Sequence, residues 1–319
     1  ACTTCRACEQ VCPVAIEQVP RIVAMRQGQS LMQGEYPQEL NSALKGLERN
    51  GNPWGIGYDK RADWAQGLDI KTMAQDPDAE YLLWVGCAGS FDDRAKKVSV
   101  SLAKILIKAR VRFAILGKEE KCTGDFARRV GNEMMYQMMA MENIETLNTY
   151  KVKKIITACP HCLNTLKHDY PQMGGHYEVI HHTRFIHGLI QGGKIRLNSS
   201  FGGGLAYHDP CYLGRYDQTY DQPRSILSSL ADQGLTELPR HGKESFCCGA
   251  GGGRMWMEET MGQRINVERA QEIASCGVEN LAVACPFCLT MVEDGFKEIS
   301  RNEEIKTFDI AELVAQNMI

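Results

Sequence analysis

Cysteine side chains are the residues of this sequence best able to carry chemistry, and they recur in one pattern twice. The first copy consists of Cys87, Cys122-Thr123-Gly124 and Cys159-Pro160-His161-Cys162, and the second of Cys211, Cys247-Cys248-Gly249 and Cys285-Pro286-Phe287-Cys288. The gaps are 35 and 37 residues in the first copy and 36 and 38 in the second. A repeat that preserves thiols rather than core residues predicts two metal centres in duplicated modules.

A third thiol cluster stands at the start of the chain, as Cys2-x2-Cys5-x2-Cys8-x3-Cys12 followed by proline. This is the spacing of the bacterial ferredoxin run, in which three thiolates hold one [4Fe–4S] cluster and the fourth cysteine reaches another. The run therefore predicts a ferredoxin-type cluster at Cys2, Cys5 and Cys8, with Cys12 on a second cluster. The other ligands of that second cluster would precede the first residue, so we expect this chain to be the C-terminal part of a longer protein.

The second repeat carries more thiols than a compact metal site requires. Its five cysteines exceed the four ligands of a cubane cluster or a tetrahedral zinc ion. Adjacent Cys247 and Cys248 would strain a single tetrahedral ion, whereas they can bridge neighbouring irons of a more open cluster. Gly249, Gly251 and Gly252 lack side chains, so we expect their backbone to approach such a cluster and donate N–H groups to it.

The first repeat departs from this pattern because Thr123 stands where Cys248 stands in the second. A neutral hydroxyl is a poor substitute for a thiolate on iron. The four remaining thiols suit a [4Fe–4S] cubane or an all-cysteine zinc site; we favour the cluster, and a vestigial, empty site is the third alternative. These four are Cys87, Cys122, Cys159 and Cys162.

Composition and charge restrict the class of protein. The 319 residues are enough for two modest cores, and a net charge of −3 shows no basic excess that would favour nucleic acid as a partner. Apolar runs such as 82–85 are strand-sized and too short to cross a bilayer. Tight C-x2-C pairs beside glycine and proline favour metal binding in a reducing compartment over a disulfide framework. Cys276 fits neither repeat and is interpreted as a packed apolar thiol.

Alternating strand and helix patterns must position these thiols. In the first repeat, residues 81–85, 111–116 and 154–158 are predicted strands that end near cysteines, and a long helix is predicted over 126–148. The second repeat copies this order, with a predicted helix over 254–274. The alternation predicts an α/β fold with a parallel sheet in each module and its cysteines past the C-terminal ends of the strands. Packing about a pseudo-twofold axis would bring both sites toward one interface.

The same patterns divide the chain into four parts. Residues 1–27 are the predicted C-terminal part of a ferredoxin-like domain, and Pro20 predicts a break in their apolar helical pattern. Residues 28–79, rich in glycine and proline, are a predicted linker with short helices on the surface of the next module. The repeats occupy residues 80–196 and 203–319, and a glycine-rich seam joins them.

These motifs resemble a known family, the CCG-domain iron–sulfur proteins, which include the catalytic B- and D-type subunits of heterodisulfide reductase. The resemblance covers nearly the whole chain and includes His208-Asp209-Pro210 ahead of Cys211. It is closer to the branch that has a ferredoxin domain and a segment such as 118–125, KEEKCTGD. In this family the five-cysteine module is thought to hold a non-cubane [4Fe–4S] cluster. The resemblance therefore implies that the ligands here are Cys211, Cys247, Cys248, Cys285 and Cys288.

The resemblance also implies a function. Many members of this branch carry an upstream membrane domain and are thought to pass electrons between electron-transfer flavoprotein and membrane quinone. It therefore implies an iron–sulfur oxidoreductase that relays electrons through ferredoxin-type clusters and the non-cubane centre, at the cytoplasmic face of the membrane through a part outside this chain. The redox partner would be electron-transfer flavoprotein or a flavin dehydrogenase subunit. No catalytic group is assigned, although the imidazole of His208 could carry protons or bond to a cluster sulfur.

Three other functions stay open. The first is disulfide reduction at the non-cubane cluster, as in heterodisulfide reductase, which Thr123 in the first repeat disfavours. The second is an electron-transfer subunit of a glycerol-3-phosphate, lactate or succinate type of dehydrogenase. The third is a structural zinc protein that scaffolds an assembly. Activity with a heterodisulfide would identify the first function, and co-purification with a flavin dehydrogenase would identify the second. Iron content distinguishes the third from the others.

Overall fold

Two four-stranded parallel sheets form the framework of the protein. The computed structural model describes residues 2–198, 201–260 and 262–319, so Ser199 and Ser200 of the predicted seam lie outside it. The strand orders are β2-β1-β3-β4 and β6-β5-β7-β8. The strands are β1 (Tyr81–Trp84), β2 (Phe113–Ala114), β3 (Lys154–Thr157), β4 (Glu178–His181), β5 (Leu205–Tyr207), β6 (Leu235–Thr236), β7 (Asn280–Val283) and β8 (Lys306–Asp309). The predicted α/β fold with duplicated parallel sheets is confirmed.

The inner strands of each sheet are buried, as expected where helices cover both faces of a parallel sheet. Leu82 on β1 pairs with Ile155 on β3, and Ala206 on β5 pairs with Leu281 on β7. All four residues are at most 1 % exposed. Because the short apolar strands pair in equivalent registers, the two modules bring their strand ends, and the loops that carry cysteines, to equivalent edges.

The first module differs from its prediction at one long helix. In place of a helix over 126–148 the structure has α6 (Asp125–Arg129) and α7 (Glu133–Thr149). Gly131 between them has a φ of +94°, and a Cβ there would lie 2.4 Å from the carbonyl oxygen of Arg26. The break therefore leaves room for the N-terminal segment. The other helices of this module are α4 (Gly86–Phe91), α5 (Asp93–Lys108), α8 (Pro160–Asn164) and α9 (His182–Gln191), with a 3-10 turn at Gly117–Glu119, a π-helical turn at Thr165–Asp169 and a 3-10 turn at Tyr170–Met173.

The second module also lacks one predicted helix. The pattern over 254–274 resolves into a 3-10 turn, Arg254–Trp256, and a separate helix that begins at Ile265, while Met261 lies outside the described residues. The glycines before Arg254 place this stretch in a loop that packs on the N-terminal segment. The α-helices here are α10 (Cys211–Gly214), α11 (Asp221–Leu230), α12 (Ile265–Ala274), α13 (Pro286–Glu298) and α14 (Ile310–Asn317), with a further 3-10 turn at Gly242–Glu244.

Residues before β1 form an N-terminal segment of short helices. The predicted break at Pro20 is wrong, because the helix containing it begins only at Gln18 and runs unbroken to Gly28. Proline is tolerated in a first turn, where the backbone N–H has no intrahelical acceptor. The helices of this segment are α1 (Ala7–Gln10), α2 (Gln18–Gly28), a π-helical turn at Gln29–Gln33, α3 (Leu40–Asn50) and a 3-10 helix at Tyr58–Ala65.

The predicted linker contributes to the core rather than only covering the surface. Leu40, Leu44 and Leu47 of α3 and Trp64 of the 3-10 helix are each at most 7 % exposed and join the apolar core. The part of the chain that the structure describes contains no helix both long and apolar enough to span a membrane.

The modules pack through equivalent helices. Helix α5 contacts α14 of the other module, and α11 contacts α9. Helices α5 and α11 are equivalent, since each follows the first strand of its module, and α9 and α14 are equivalent, since each follows the last strand. The α5–α14 contact and the α11–α9 contact are therefore the same contact with the two modules exchanged. Arg94 on α5 donates to Glu293 at 2.8 Å and to Glu312 at 2.7 Å, and Nε2 of His182 lies 2.9 Å from Asp309. The expected pseudo-twofold packing is present.

Candidate metal centres

The five second-repeat cysteines meet at one buried place beyond β5, β6 and β7. The sulfurs of Cys248 and Cys288 lie 3.3 Å apart. The other neighbouring thiols also interact: Cys247 raises the pKa of Cys211 and lowers that of Cys248, and Cys248 and Cys285 raise that of Cys288, so the five thiols form one continuous string. Contacts with Cys247 and Cys288 lower the pKa of Cys248 well below its usual range. Five adjacent soft ligands fit an iron–sulfur cluster, since a metal displaces the protons of the thiols that bind it.

Of the three glycines predicted to donate backbone N–H groups near the thiols, only one does so within the described residues. The N–H of Gly249 donates to the sulfur of Cys247 at 3.3 Å. Gly249 has a φ of +93°, which favours glycine. Gly251 and Gly252 have a different role: a Cβ would lie 2.2 Å from the carbonyl oxygen of Thr3 or 2.5 Å from that of Cys2, respectively. These two glycines make room for the N-terminal cysteine run.

The N-terminal cysteine run is docked directly on the second-repeat thiols. The interaction with Cys247 raises the pKa of Cys5, and the sulfur of Cys247 donates to the Thr3 hydroxyl at 3.4 Å. Arg215 donates to the carbonyl oxygen of Cys5 at 2.6 Å, and Arg26 to that of Cys2 at 2.6 Å. The docking is therefore polar and specific, and it brings two predicted ligand sets into contact.

Within this run the structure brings Cys2, Cys5 and Cys8 close enough for their charges to interact. Cys8 is exposed, unlike the second-repeat thiols. Cys12 accepts a hydrogen bond from the N–H of Ile16 at 3.3 Å, and such backbone N–H groups lower its pKa. The thiolate of Cys12 is thus stabilised by its own loop, at a partly exposed position.

The four first-repeat cysteines line one cavity between the modules, and Thr123 lines it with them. Its far wall is formed by the second repeat, through the segment 250–253 and Phe287. Cys159 is near enough to Cys285 of the other module for the charge of Cys285 to raise the pKa of Cys159, which burial already raises. Both thiol sets therefore approach the module interface. The cysteines of the cavity are Cys87, Cys122, Cys159 and Cys162.

A buried ion pair, Arg61 with Glu120, supports the first-repeat site. Arg61 lies 3.7 Å from the sulfur of Cys87 and donates to Glu120 at 2.8 Å. Glu120 also accepts the N–H groups of Val85 and Gly86, at 3.0 and 2.8 Å. The sequence carries no local signal for Arg61, which lies in the predicted linker, 26 residues before Cys87. The pair holds the loop of Cys87 and places a cation beside its sulfur.

Replacing Arg61 by methionine should lower the free energy of unfolding by about 3–5 kcal/mol, because Glu120 would remain buried without its cation. Both side chains are 2 % exposed. The measurement is urea unfolding of the anaerobically purified protein. Lys121→Met is the matched control: its partner Glu142 lies at 2.7 Å, but both side chains are about half exposed, and the expected loss is about 0–1 kcal/mol. Equal losses in the two variants would contradict the buried pair's importance.

Two buried histidines beside the thiols have opposite partners. Nδ1 of His161 lies 3.0 Å from Asp125, whereas Nδ1 of His208 accepts a hydrogen bond from Arg269 at 3.1 Å. Burial would raise the pKa of Asp125, but Arg129 and His161 outweigh it and lower that pKa to about 2. Burial, with Arg269, lowers the pKa of His208 to about 3. The carboxylate requires a proton on Nδ1 of His161, and the guanidinium excludes one from Nδ1 of His208.

Asp125 and Arg269 contact the two buried histidines beside the thiols, and the sequence patterns reveal neither contact. In the sequence, Asp125 is only the last residue of the 118–125 segment, and Arg269 is only part of a predicted helix. Neither has a spacing relative to the cysteines that identifies it. Only the folded chain brings Arg269 within bonding distance of His208, 61 residues away.

Comparisons with known proteins agree with the duplicated architecture. Residues 81–167 and 205–293 each match a family model described as CCG, cysteine-rich domain. The chain is 44 % identical to the EtfAB:quinone oxidoreductase of Syntrophomonas wolfei, over 99 % of this chain and 46 % of that protein. It is 42 % identical to the probable iron-sulfur-binding oxidoreductase FadF of Bacillus subtilis, over 100 % of this chain and 46 % of that protein.

A third relative matches along more of its own length. The chain is 31 % identical to the D-type subunit of the dihydromethanophenazine:CoB–CoM heterodisulfide reductase of Methanosarcina barkeri, over 99 % of this chain and 76 % of that protein. By contrast, the chain spans about half the length of the S. wolfei and B. subtilis relatives.

Proposed function

This chain belongs to the family of CCG cysteine-rich domain proteins, and on that premise we propose that it is the iron–sulfur part of an oxidoreductase that relays electrons. Its similarity to proteins named as iron–sulfur and quinone oxidoreductases supports this class of activity. The adjacent and mostly buried thiols of both modules support it independently, since they offer ligand sets without disulfides among the described cysteines.

The proposed ligand sets follow the three groups of thiols. Cys2, Cys5 and Cys8 hold a ferredoxin-type cluster, while Cys12 serves another. The first-repeat cysteines hold a [4Fe–4S] cluster rather than zinc, and the five second-repeat cysteines hold a non-cubane [4Fe–4S] cluster. Such clusters, when bound, accept and release single electrons. The protein positions them, excludes water from the repeat sites and supplies N–H and cationic groups beside their sulfurs.

The observation that carries the relay is the contact between the N-terminal run and the second repeat. Cys5 and Cys247 belong to different predicted clusters, yet Cys247 lies near enough to raise the pKa of Cys5. The sulfur of Cys247 in the second repeat also donates a hydrogen bond to the hydroxyl of Thr3 in the N-terminal run, at 3.4 Å. Electrons that reach the N-terminal run would therefore have a short route to the second repeat, and from there to the first repeat across the interface near Cys159 and Cys285.

The proposed partners are electron-transfer flavoprotein and quinone. The S. wolfei relative is named for this exchange, and 44 % identity over nearly the whole of this chain supports the transfer of that role. Quinone would be reached through a membrane part outside this chain, which would hold these modules at the cytoplasmic face. A flavin dehydrogenase subunit is the alternative electron donor.

Metal analysis of the full-length, anaerobically purified protein tests this proposal. We expect about twelve or more irons per chain, with matching acid-labile sulfide, and oxidation by a soluble quinone after reduction by electron-transfer flavoprotein. A preparation that contains mainly zinc and little sulfide would overturn the relay and leave a zinc-stapled scaffold. Full iron content without reduction by the flavoprotein would overturn only the proposed donor.

Disulfide reduction is the second candidate, and the meeting of both thiol sets at the module interface favours it. Two electrons and two protons would break the S–S bond of a substrate disulfide and release two thiols. Thr123 in place of a fifth first-repeat cysteine makes the two sites unequal and favours the relay. Release of thiols from a mixed disulfide by the reduced protein would support this candidate instead.

A further inference from the structure

We propose that Nε2–H of His208 donates a hydrogen bond to the second-repeat cluster, and that Arg269 fixes the imidazole in this role. The inference rests on the proposed function, since the acceptor would be a sulfur of a cluster held by the second-repeat cysteines. His208 would thus tune the centre by direct contact, as neither an iron ligand nor a carrier of protons, and Arg269 is the positioning residue.

The place of His208 is set by the sheet. It follows the last residue of β5, and its backbone N–H donates to the carbonyl oxygen of Ala282 on β7 at 3.0 Å. The side chain is buried, at 1 % exposed. One of its ring nitrogens and the sulfurs of Cys248 and Cys288 all lie within 4.8 Å of one another. The imidazole therefore borders the thiol string from the sheet side.

Nε2 of His208 is buried and has no hydrogen-bond partner among the described residues. Burying a donor without a partner is costly, so such a group indicates an acceptor that the polypeptide itself does not provide. The sulfurs of a cluster at Cys248 and Cys288 would be that acceptor. The equivalent residue of the first repeat, 124 positions earlier, is Trp84, whose Nε1–H is likewise buried and unpaired in the described structure.

Arg269 decides whether His208 is a donor or a ligand. Its Nε donates to Nδ1 of His208 at 3.1 Å. A guanidinium has only donors, so Nδ1 must present its lone pair, and the neutral imidazole then carries its hydrogen on Nε2. A nitrogen that carries a hydrogen cannot coordinate iron. The guanidinium also cannot take up a proton, so this pair does not form a proton relay.

The guanidinium is itself held rigidly. Arg269 is 0 % exposed, and its Nη1 donates to Glu272 at 2.8 Å and to the carbonyl oxygen of Arg240 at 3.1 Å. Glu272 in turn accepts from Arg240 at 3.1 Å. A buried chain from Glu272 through Arg269 to His208 thus fixes the ring orientation, as outer-shell partners do for groups around metal sites.

A donor at this position would raise the reduction potential of the second-repeat centre, because hydrogen bonds to sulfur stabilise the more negative, reduced cluster. At a fixed ambient potential, His208→Leu in the full-length holoprotein should shift the ratio of reduced to oxidised centre about tenfold toward the oxidised form, about 59 mV for one electron. The measurement is a redox titration followed by EPR. His208→Gln, which keeps an N–H donor, should restore part of the shift, and His176→Gln at an exposed position is the control.

Exchangeable-proton hyperfine coupling gives a second readout, which does not depend on the reduction potential. Exchange into D₂O should remove a coupling that His208→Leu also lacks. A wild-type centre with no such coupling, or an unchanged potential in His208→Leu, would overturn the proposal while leaving the relay intact. A strong nitrogen coupling lost in His208→Leu would show a ligand instead. Zinc in place of iron in the wild type would overturn the proposed function and this inference together.

Discussion

Replacing Cys248 by serine should remove the second-repeat centre while leaving the other centres in place. Cys248 is 4 % exposed and is the middle thiol of the string, in contact with Cys247 and with Cys288 at 3.3 Å. A hydroxyl is a poor iron ligand, so the five-thiol string would lose its middle ligand. We expect a loss of about four irons per chain and of one EPR signal, and electron flow to quinone at background level.

Cys276→Ser is the matched control for this prediction. Cys276 lies in the same module, and its sulfur donates only to the carbonyl oxygen of Glu272, at 3.4 Å, among the contacts of the described residues. Iron content, EPR spectrum and electron transfer should stay at wild-type values. If Cys248→Ser kept all of its iron and its signals, the five-cysteine ligand set would be wrong.

Replacing Gly251 by alanine should separate the N-terminal run from the second repeat. The new Cβ would lie 2.2 Å from the carbonyl oxygen of Thr3, which is backbone and cannot rotate away. Overpacking of this kind costs about 1–3 kcal/mol, and this strain would weaken the docking of the N-terminal run by the same amount. We expect amide exchange of the run to accelerate about tenfold for each 1.4 kcal/mol lost, and electron transfer from the run to the second repeat to slow.

Gly188→Ala is the control, because the site is inside α9 and no atom of the described residues, apart from its chain neighbours and the backbone of that helix, lies within 4 Å of its Cβ position. Alanine there should stabilise the helix by up to about 1 kcal/mol. Iron content should be unchanged in both variants, since the three atoms nearest to the Cβ position of Gly251 belong to Thr3 and Thr4 rather than to a thiol. Unchanged amide exchange and unchanged electron transfer in Gly251→Ala would show that the docked run is not part of the relay.

The sequence was most informative about thiols and sheets. Ligands must converge, so the doubled cysteine spacing and the short apolar strands before it predicted two parallel α/β modules with thiols past the strand ends. It was less informative about helix boundaries. The break at Gly131 arises because Arg26 of a distant segment occupies the space beside it. The predicted break at Pro20 was wrong because the sequence does not show where the helix begins. A proline in the first turn of a helix has the same sequence signal as one in its interior.

The sequence by itself determined which residues offer sulfur, how many each module has, and that Thr123 makes the modules unequal. These properties depend on residue type and local spacing. Only the tertiary structure decided which groups surround the sulfurs: Arg61 beside Cys87, Arg269 behind His208, and Thr3 against Gly251. These partners are about 3–4 Å apart in space but tens to hundreds of residues apart in the sequence. A hydrogen bond or charge contact between such residues requires no fixed spacing along the chain, so it leaves no pattern in the sequence.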